Sequence, residues 1–215
     1  MSDTPDLRLY LVTDRALGRG RSLVDLVRRA VEGGVTIVQL REKQAGTREF
    51  IGLAEELQDL LAPLRVPLVI NDRIDVALAV GAAGVHVGQS DMPVAMARRL
   101  LGERGLLGVS VSNIEEVVRA EADGADYLGV SPIYATPTKT DTVTPVGFVG
   151  LSSLRAATRL PLVAIGGLHA DNVIPVIKHG ADGVAVVSAI MAADDPCEAA
   201  RTLRARIDGA RGSAR

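Results

Sequence analysis

The feature that constrains this chain most is an alternation, repeated eight times, of a short apolar run rich in valine, leucine and isoleucine with a longer segment whose apolar residues recur three and four positions apart. Short runs of the first kind suit β-strands and the second spacing suits helices with one buried face. The strand candidates are 7–13, 35–40, 66–70, 84–87, 106–110, 127–131, 162–165 and 183–187. Most are apolar throughout, as strands covered on both faces must be. The segments 22–32, 47–61, 73–79, 93–101, 113–122, 150–157, 170–178 and 198–207 are the matching helices. Glycines at 33–34, 81, 124 and 180 stand where a helix must stop and feed the next strand, a place where glycine supplies the left-handed C-cap. Eight such units predict a parallel sheet closed on itself: an α/β fold, one (β/α)8 TIM-barrel domain over 1–215, with 1–6 and 209–215 as loose tails. An open doubly wound sheet would need a reversal of strand order that this even repeat does not announce.

Apolar residues make up 47% of the 215, enough for a large core, and 23% charged residues cover its surface. A formal charge of −2 gives no general attraction to nucleic acid or anionic lipid. With 2% aromatics and no tryptophan there is no stacking platform for single strands. The single cysteine, Cys197, excludes an intrachain disulfide and a multi-thiolate metal site. Residues 1–6 carry acids and no apolar core flanked by basic residues, and no run reaches the length of a membrane span. The expectation is a cytoplasmic enzyme with small-molecule partners, no nucleic acid and no membrane. Apolar helix faces leave room for a homo-oligomer.

Barrel chemistry collects where strands end and βα-loops begin. After the second strand, Gln39-Leu40-Arg41-Glu42-Lys43 places Gln39, Arg41 and Lys43 on one side if the extended backbone continues. The bland alternative is a strand end held by surface ion pairs. Asn71-Asp72-Arg73 closes the third strand, and Gly88-Gln89-Ser90-Asp91 follows the fourth. Asp72 and Asp91 could each be a helix N-cap. Two carboxylates on neighbouring loops are also what Mg2+ needs when it keeps several waters and shares phosphate oxygens. His86 lies in an apolar strand with no metal-ligand partner at a suitable spacing, and reads as a structural, hydrogen-bonded histidine. Ser110 closes the fifth strand on the same rim. The sixth connection, 132–147, is long enough to form a binding loop, where Thr136 and Thr138 offer hydroxyls and Lys139 a point charge. Gly166-Gly167 and Val187-Ser188 end the last two strands, where barrels bind phosphate through backbone N–H groups. Two anion-binding regions suggest two phosphorylated substrates.

In this combination the chain resembles the thiamine-phosphate synthase family, also called thiamine-phosphate pyrophosphorylase. The resemblance rests on Tyr10-Leu11-Val12-Thr13-Asp14, Gln39 to Lys43, Asn71-Asp72-Arg73, Gly88-Gln89-Ser90-Asp91, Gly108-Val109-Ser110, Thr136-Pro137-Thr138-Lys139, Ile165-Gly166-Gly167 and Val187-Ser188-Ala189-Ile190. It implies condensation of 4-amino-5-hydroxymethyl-2-methylpyrimidine diphosphate with a thiazole phosphate, giving thiamine phosphate and pyrophosphate by a Mg2+-dependent dissociative substitution. It further implies Asp72 and Asp91 as metal ligands. The pyrimidine diphosphate falls to Gln39, Leu40, Arg41, Glu42, Lys43, Asn71, Ser110 and Lys139, and the thiazole phosphate to Thr136, Pro137, Thr138, Gly167, Val187 and Ser188. Arg41, Lys43, Ser110 and Lys139 are the implied catalytic groups. One departure is Ser112, where relatives, including thiazole tautomerases, often carry histidine. A tautomerase is the alternative enzyme, and a regulatory barrel that only binds such phosphates is the alternative outside catalysis.

Overall fold

The computed structural model describes residues 5–135 and 144–212. Its eight strands are β1 (Leu9–Val12), β2 (Ile37–Leu40), β3 (Leu68–Asn71), β4 (Gly84–Val87), β5 (Leu106–Val111), β6 (Tyr127–Val130), β7 (Leu162–Ile165) and β8 (Gly183–Val186). They form a closed barrel in sequence order. Every pair is parallel, and β1 closes on β8 with Leu9 opposite Val184 and Tyr10 opposite Ala185. The helices are α1 (Leu23–Glu32), α2 (Thr47–Leu61), α3 (Ile74–Val80), α4 (Val94–Leu101), α5 (Ile114–Ala122), α6 (Gly147–Ala157), α7 (Val173–Lys178), α8 (Ser188–Met191) and α9 (Pro196–Gly212). The expected fold is the observed one.

The starts and stops have local causes. Ser22 caps α1 by accepting from the Asp25 amide at 3.3 Å, and Asn113 caps α5 by accepting from that of Glu116 at 2.9 Å. Gly81 ends α3 at φ 64°, the left-handed C-cap that its place in the sequence suggests. α9 continues through Gly212, so residues 209–212 are helical rather than loose. Ile207 and Ala210 are both buried on that helix, which is why it extends past Gly209.

Side-chain alternation in the strands produces two layers. Leu9 and Leu11 face outward into the layer between sheet and helices, with Val38, Leu40, Leu68 and Ile70 from the next strands. Tyr10 and Val12 face inward, with Ile37, Val69, Tyr127, Val163 and Ala185 filling the barrel. Burying both faces at about 1.5–3 kcal/mol per large apolar side chain explains why the strand runs lack a polar face. It also fixes register, because a slip of one residue would exchange the two layers. Among the described residues no helix is long and apolar enough to cross a membrane.

Candidate active site

The C-terminal ends of the strands open into a cavity of about 550 Å3. Gln39, Arg41 and Lys43 line it, as strand alternation requires, and the two residues between them do not. Leu40 is fully buried in the outer apolar layer. The Glu42 carboxylate turns away to Arg15 at 2.9 Å, and its other oxygen, Oε1, is buried with no hydrogen-bond partner among the described residues. The stretch that the family resemblance assigns whole to the substrate is thus divided three to two by the pleat.

Asn71 ends β3 on the cavity wall, and Asp72 follows at φ 61°, a left-handed conformation uncommon outside glycine but tolerated by aspartate. Asp72 is not a helix cap: the cap position of α3 is Arg73, and the Asp72 Oδ2 instead accepts from Lys43 Nζ at 2.7 Å. Its amide donates to the His86 carbonyl at 2.9 Å, which holds the turned backbone against β4. Asp91 is not a cap either. Pro93 holds that position for α4, and the Asp91 Oδ2 accepts from the Gly88 amide at 2.7 Å. Burial pushes the Asp72 carboxyl above the ordinary carboxylate range and the adjacent Asp91 pushes it further, against the opposing pull of Lys43. Two neighbouring carboxylates thus share this wall of the cavity, with the Lys43 ammonium on Asp72.

Ser110 stands on the same wall, its Oγ 2.9 Å from His86 Nε2 and its carbonyl accepting from Gln89 Nε2 at 2.7 Å. Across the cavity, Gly166 and Gly167 run at φ 108° and 67°. A Cβ would lie 2.8 Å from Pro132 Cβ at Gly166 and 2.9 Å from Tyr134 Cβ at Gly167, so both conformation and space demand glycine here. Val187 precedes α8, Ser188 is its first residue, and both line the cavity. Thr136, Pro137, Thr138 and Lys139 lie outside the described residues. The start of their connection is tied to β7, by the Ile133 amide to the Ile165 carbonyl at 2.9 Å and the Tyr134 amide to the Gly166 carbonyl at 3.1 Å.

The cavity is also lined by residues that the sequence did not assign to the site. Tyr10, Tyr127 and His86 all face the cavity, as do Ser112 and Glu116. Tyr10 enters the sequence reading only through the family motif at the first strand, Tyr127 only as the start of the sixth strand, and His86 as a structural histidine. Gly108 and Gly129, at inward positions of β5 and β6, were the available signal: glycines inside a barrel make room for something large. Ser112 donates to the Glu116 carboxylate through its amide at 2.6 Å and its hydroxyl at 3.1 Å, so its hydroxyl serves this local turn.

The family model for thiamine monophosphate synthase matches residues 9–190. The thiamine-phosphate synthase of Albidiferax ferrireducens is 62% identical over 202 residues, covering 94% of this chain and 92% of the relative. That of Chloroflexus aurantiacus is 56% identical, covering 94% and 93%. Among solved structures, the thiamine phosphate pyrophosphorylase of Pyrococcus furiosus superposes with a TM-score of 0.88 at 39% identity, covering 96% of this chain and 98% of that one. A 3-hexulose-6-phosphate synthase superposes at 0.70 with 20% identity, which speaks for the barrel alone. The relatives above half identity are synthases by name, and the tautomerase alternative gains no support from them.

Proposed function

This chain belongs to the thiamine monophosphate synthase family, and from that premise we propose how its barrel rim performs the condensation. The enzyme joins 4-amino-5-hydroxymethyl-2-methylpyrimidine diphosphate to a thiazole phosphate in thiamine biosynthesis, releasing pyrophosphate. The bond from the pyrimidine methylene carbon to the diphosphate oxygen breaks, its electron pair leaving with pyrophosphate. A new bond forms from the thiazole nitrogen to that carbon. The aminopyrimidine spreads the positive charge that develops on the methylene, so no protein nucleophile is needed.

The chain's task is to hold the two reactants in line and to stabilise the leaving group. Arg41 and Lys43 supply cationic donors for the diphosphate, and Asn71 and Ser110 supply neutral ones from the same wall. Asp72 and Asp91 are the residues that would hold Mg2+. The donor set fits that ion: two hard carboxylate oxygens on adjacent loops suit a cation that completes its shell with water and substrate oxygens. When bound, the ion neutralises charge on the departing diphosphate. Lys43, paired with Asp72 in this structure, lies on the same wall as a cationic donor for the diphosphate. Gly166, Gly167, Val187 and Ser188 form the opposite wall, where backbone N–H groups receive the thiazole phosphate; Thr136 and Thr138, assigned to the same phosphate, and Lys139, assigned to the pyrimidine diphosphate, lie outside the described residues. We read 1–215 as a single catalytic domain acting on small molecules.

The observation that carries this reading is the juxtaposition, on one wall of one cavity, of the Asp72–Asp91 pair with Lys43 and Arg41. The test is pyrophosphate release with both substrates, with each alone, and with Mg2+ chelated. Release only with both substrates and Mg2+ is expected. Release without metal would overturn the assigned role of the two aspartates, and turnover of a carboxylated thiazole phosphate alone would restore the tautomerase.

A further inference from the structure

We propose that a chain of hydrogen bonds beneath the cavity, running from Gln39 through Tyr10, Tyr127 and His86 to Ser110, fixes the Ser110 hydroxyl as a hydrogen donor to substrate, with His86 as a positioning residue in its Nε2–H tautomer. Four contacts join five residues from five different strands. Gln39 Nε2 donates to the Tyr10 hydroxyl at 3.0 Å. The Tyr10 and Tyr127 hydroxyls are 2.8 Å apart. Tyr127 lies 3.1 Å from His86 Nδ1, and His86 Nε2 lies 2.9 Å from Ser110 Oγ.

The polarity of the chain follows from its first member. An amide nitrogen can only donate, so the Tyr10 oxygen accepts from Gln39, and its own hydrogen, for which the Tyr127 oxygen is the one acceptor in reach among the described residues, is assigned to Tyr127. Tyr127 then spends its hydrogen on His86 Nδ1, which must be bare to receive it. In the neutral ring that leaves the proton on Nε2, and Nε2 donates to Ser110 Oγ. With its oxygen engaged as an acceptor, Ser110 directs its hydrogen into the cavity that it lines. An isolated histidine and serine could pair in either sense; the buried phenols remove that choice. Burial also holds both phenols above their ordinary titration range, so each keeps the hydrogen that the relay needs.

The barrel is built around this chain. A Cβ on Gly108 would fall 2.1 Å from Tyr127 Cζ and 2.5 Å from His86 Nδ1, and one on Gly129 would fall 2.9 Å from His86 Cε1. Tyr10, Tyr127 and Gln39 are 1%, 0% and 4% exposed, so the chain is held almost wholly apart from bulk water. The consequence for the reaction rests on the function proposed above: the pyrimidine diphosphate meets a fixed hydrogen donor, which favours an accepting ring nitrogen or diphosphate oxygen and disfavours a substrate hydrogen at that point.

Two measurements test this. In protein labelled with 15N-histidine, long-range proton–nitrogen correlation spectra, with His86 assigned by its loss in His86→Gln, are expected to show a bare Nδ1 and a protonated Nε2. A proton on Nδ1 overturns the proposal, and this measurement needs no substrate and no active variant beyond wild type. In the second, Tyr127→Phe and Ser110→Ala are each expected to lower kcat/KM about tenfold, the size of one net hydrogen bond. The double variant is expected to be no worse than Ser110→Ala, because Tyr127 acts through Ser110. Multiplying losses, or a Tyr127→Phe enzyme indistinguishable from wild type, refutes the relay. Absence of turnover in wild type itself would sink the proposed function and leave the tautomer result standing.

Discussion

Replacing Gly108 by alanine puts one methyl group where Tyr127 and His86 already stand. The added carbon would lie 2.1 Å from Tyr127 Cζ and 2.3 Å from its hydroxyl, against the roughly 3.5–4.0 Å at which carbon atoms rest. An overlap of that depth cannot be absorbed by small adjustments. The Tyr127 ring is fully buried, with its centre 6.0 Å from that of Tyr10 and 5.6 Å from that of His86, so it cannot swing aside like the end of an exposed chain. Overpacking of this kind costs about 1–3 kcal/mol. Displacing Tyr127 also strands a buried hydroxyl, for about 1–3 kcal/mol more. Out of a total stability of about 5–15 kcal/mol, a loss of about 2–6 kcal/mol is expected. For a domain of this size each kcal/mol is worth roughly 2–4 °C, so the melting temperature should fall by roughly 4–24 °C. Calorimetry or circular dichroism on the purified variant measures this directly. A midpoint within about 2 °C of wild type would refute the packing on which the relay depends.

Gly52→Ala is the counterpart: Gly52 sits within α2 with nothing within 4 Å of the added carbon, so the variant should gain about 0.5–1 kcal/mol in denaturant unfolding. Asp91→Ala should lower kcat for pyrophosphate release about a hundredfold or more, with circular dichroism unchanged; retained turnover would remove Asp91 from the metal site. Asp72→Asn tests the electrostatics. Because the folded protein raises this carboxyl from its ordinary 3.8, the folded state binds more protons than the unfolded chain from that pH up to the raised value, and wild-type stability falls as pH rises through the interval. Urea unfolding with chelator present should therefore show the variant gaining on wild type with rising pH across the interval, then running parallel above it. A variant that instead loses ground to wild type as pH rises through the interval would mean that Lys43 outweighs burial and Asp91.

The barrel was legible because its causes are local and repeated. Each strand must be apolar on both faces, each helix on one, and each return to the sheet needs a residue that stops a helix, as Gly81 does in the left-handed region. The rim residues Gln39, Arg41 and Lys43 were legible for the same reason, since alternation along β2 is a property of the backbone. Leu40 and Glu42 show the limit of motif reading: the family pattern takes the stretch whole, and only the pleat separates residues that face the cavity from those that face the helices.

Tertiary structure alone decided the groups whose meaning depends on partners far away in the chain. Asp72 and Asp91 each had a plausible reading as a helix cap; their closeness to one another and to Lys43, which comes from closing β2, β3 and β4 side by side, is what the proposed cation site rests on. Tyr10 and Tyr127 lie 117 positions apart, and no sequence period relates them. The repeat of strand and helix determined that this chain would close a barrel with polar strand ends at one rim. Which inward side chains touch across that barrel was settled only by closure, because hydrogen bonding between strands brings together residues that the chain keeps apart.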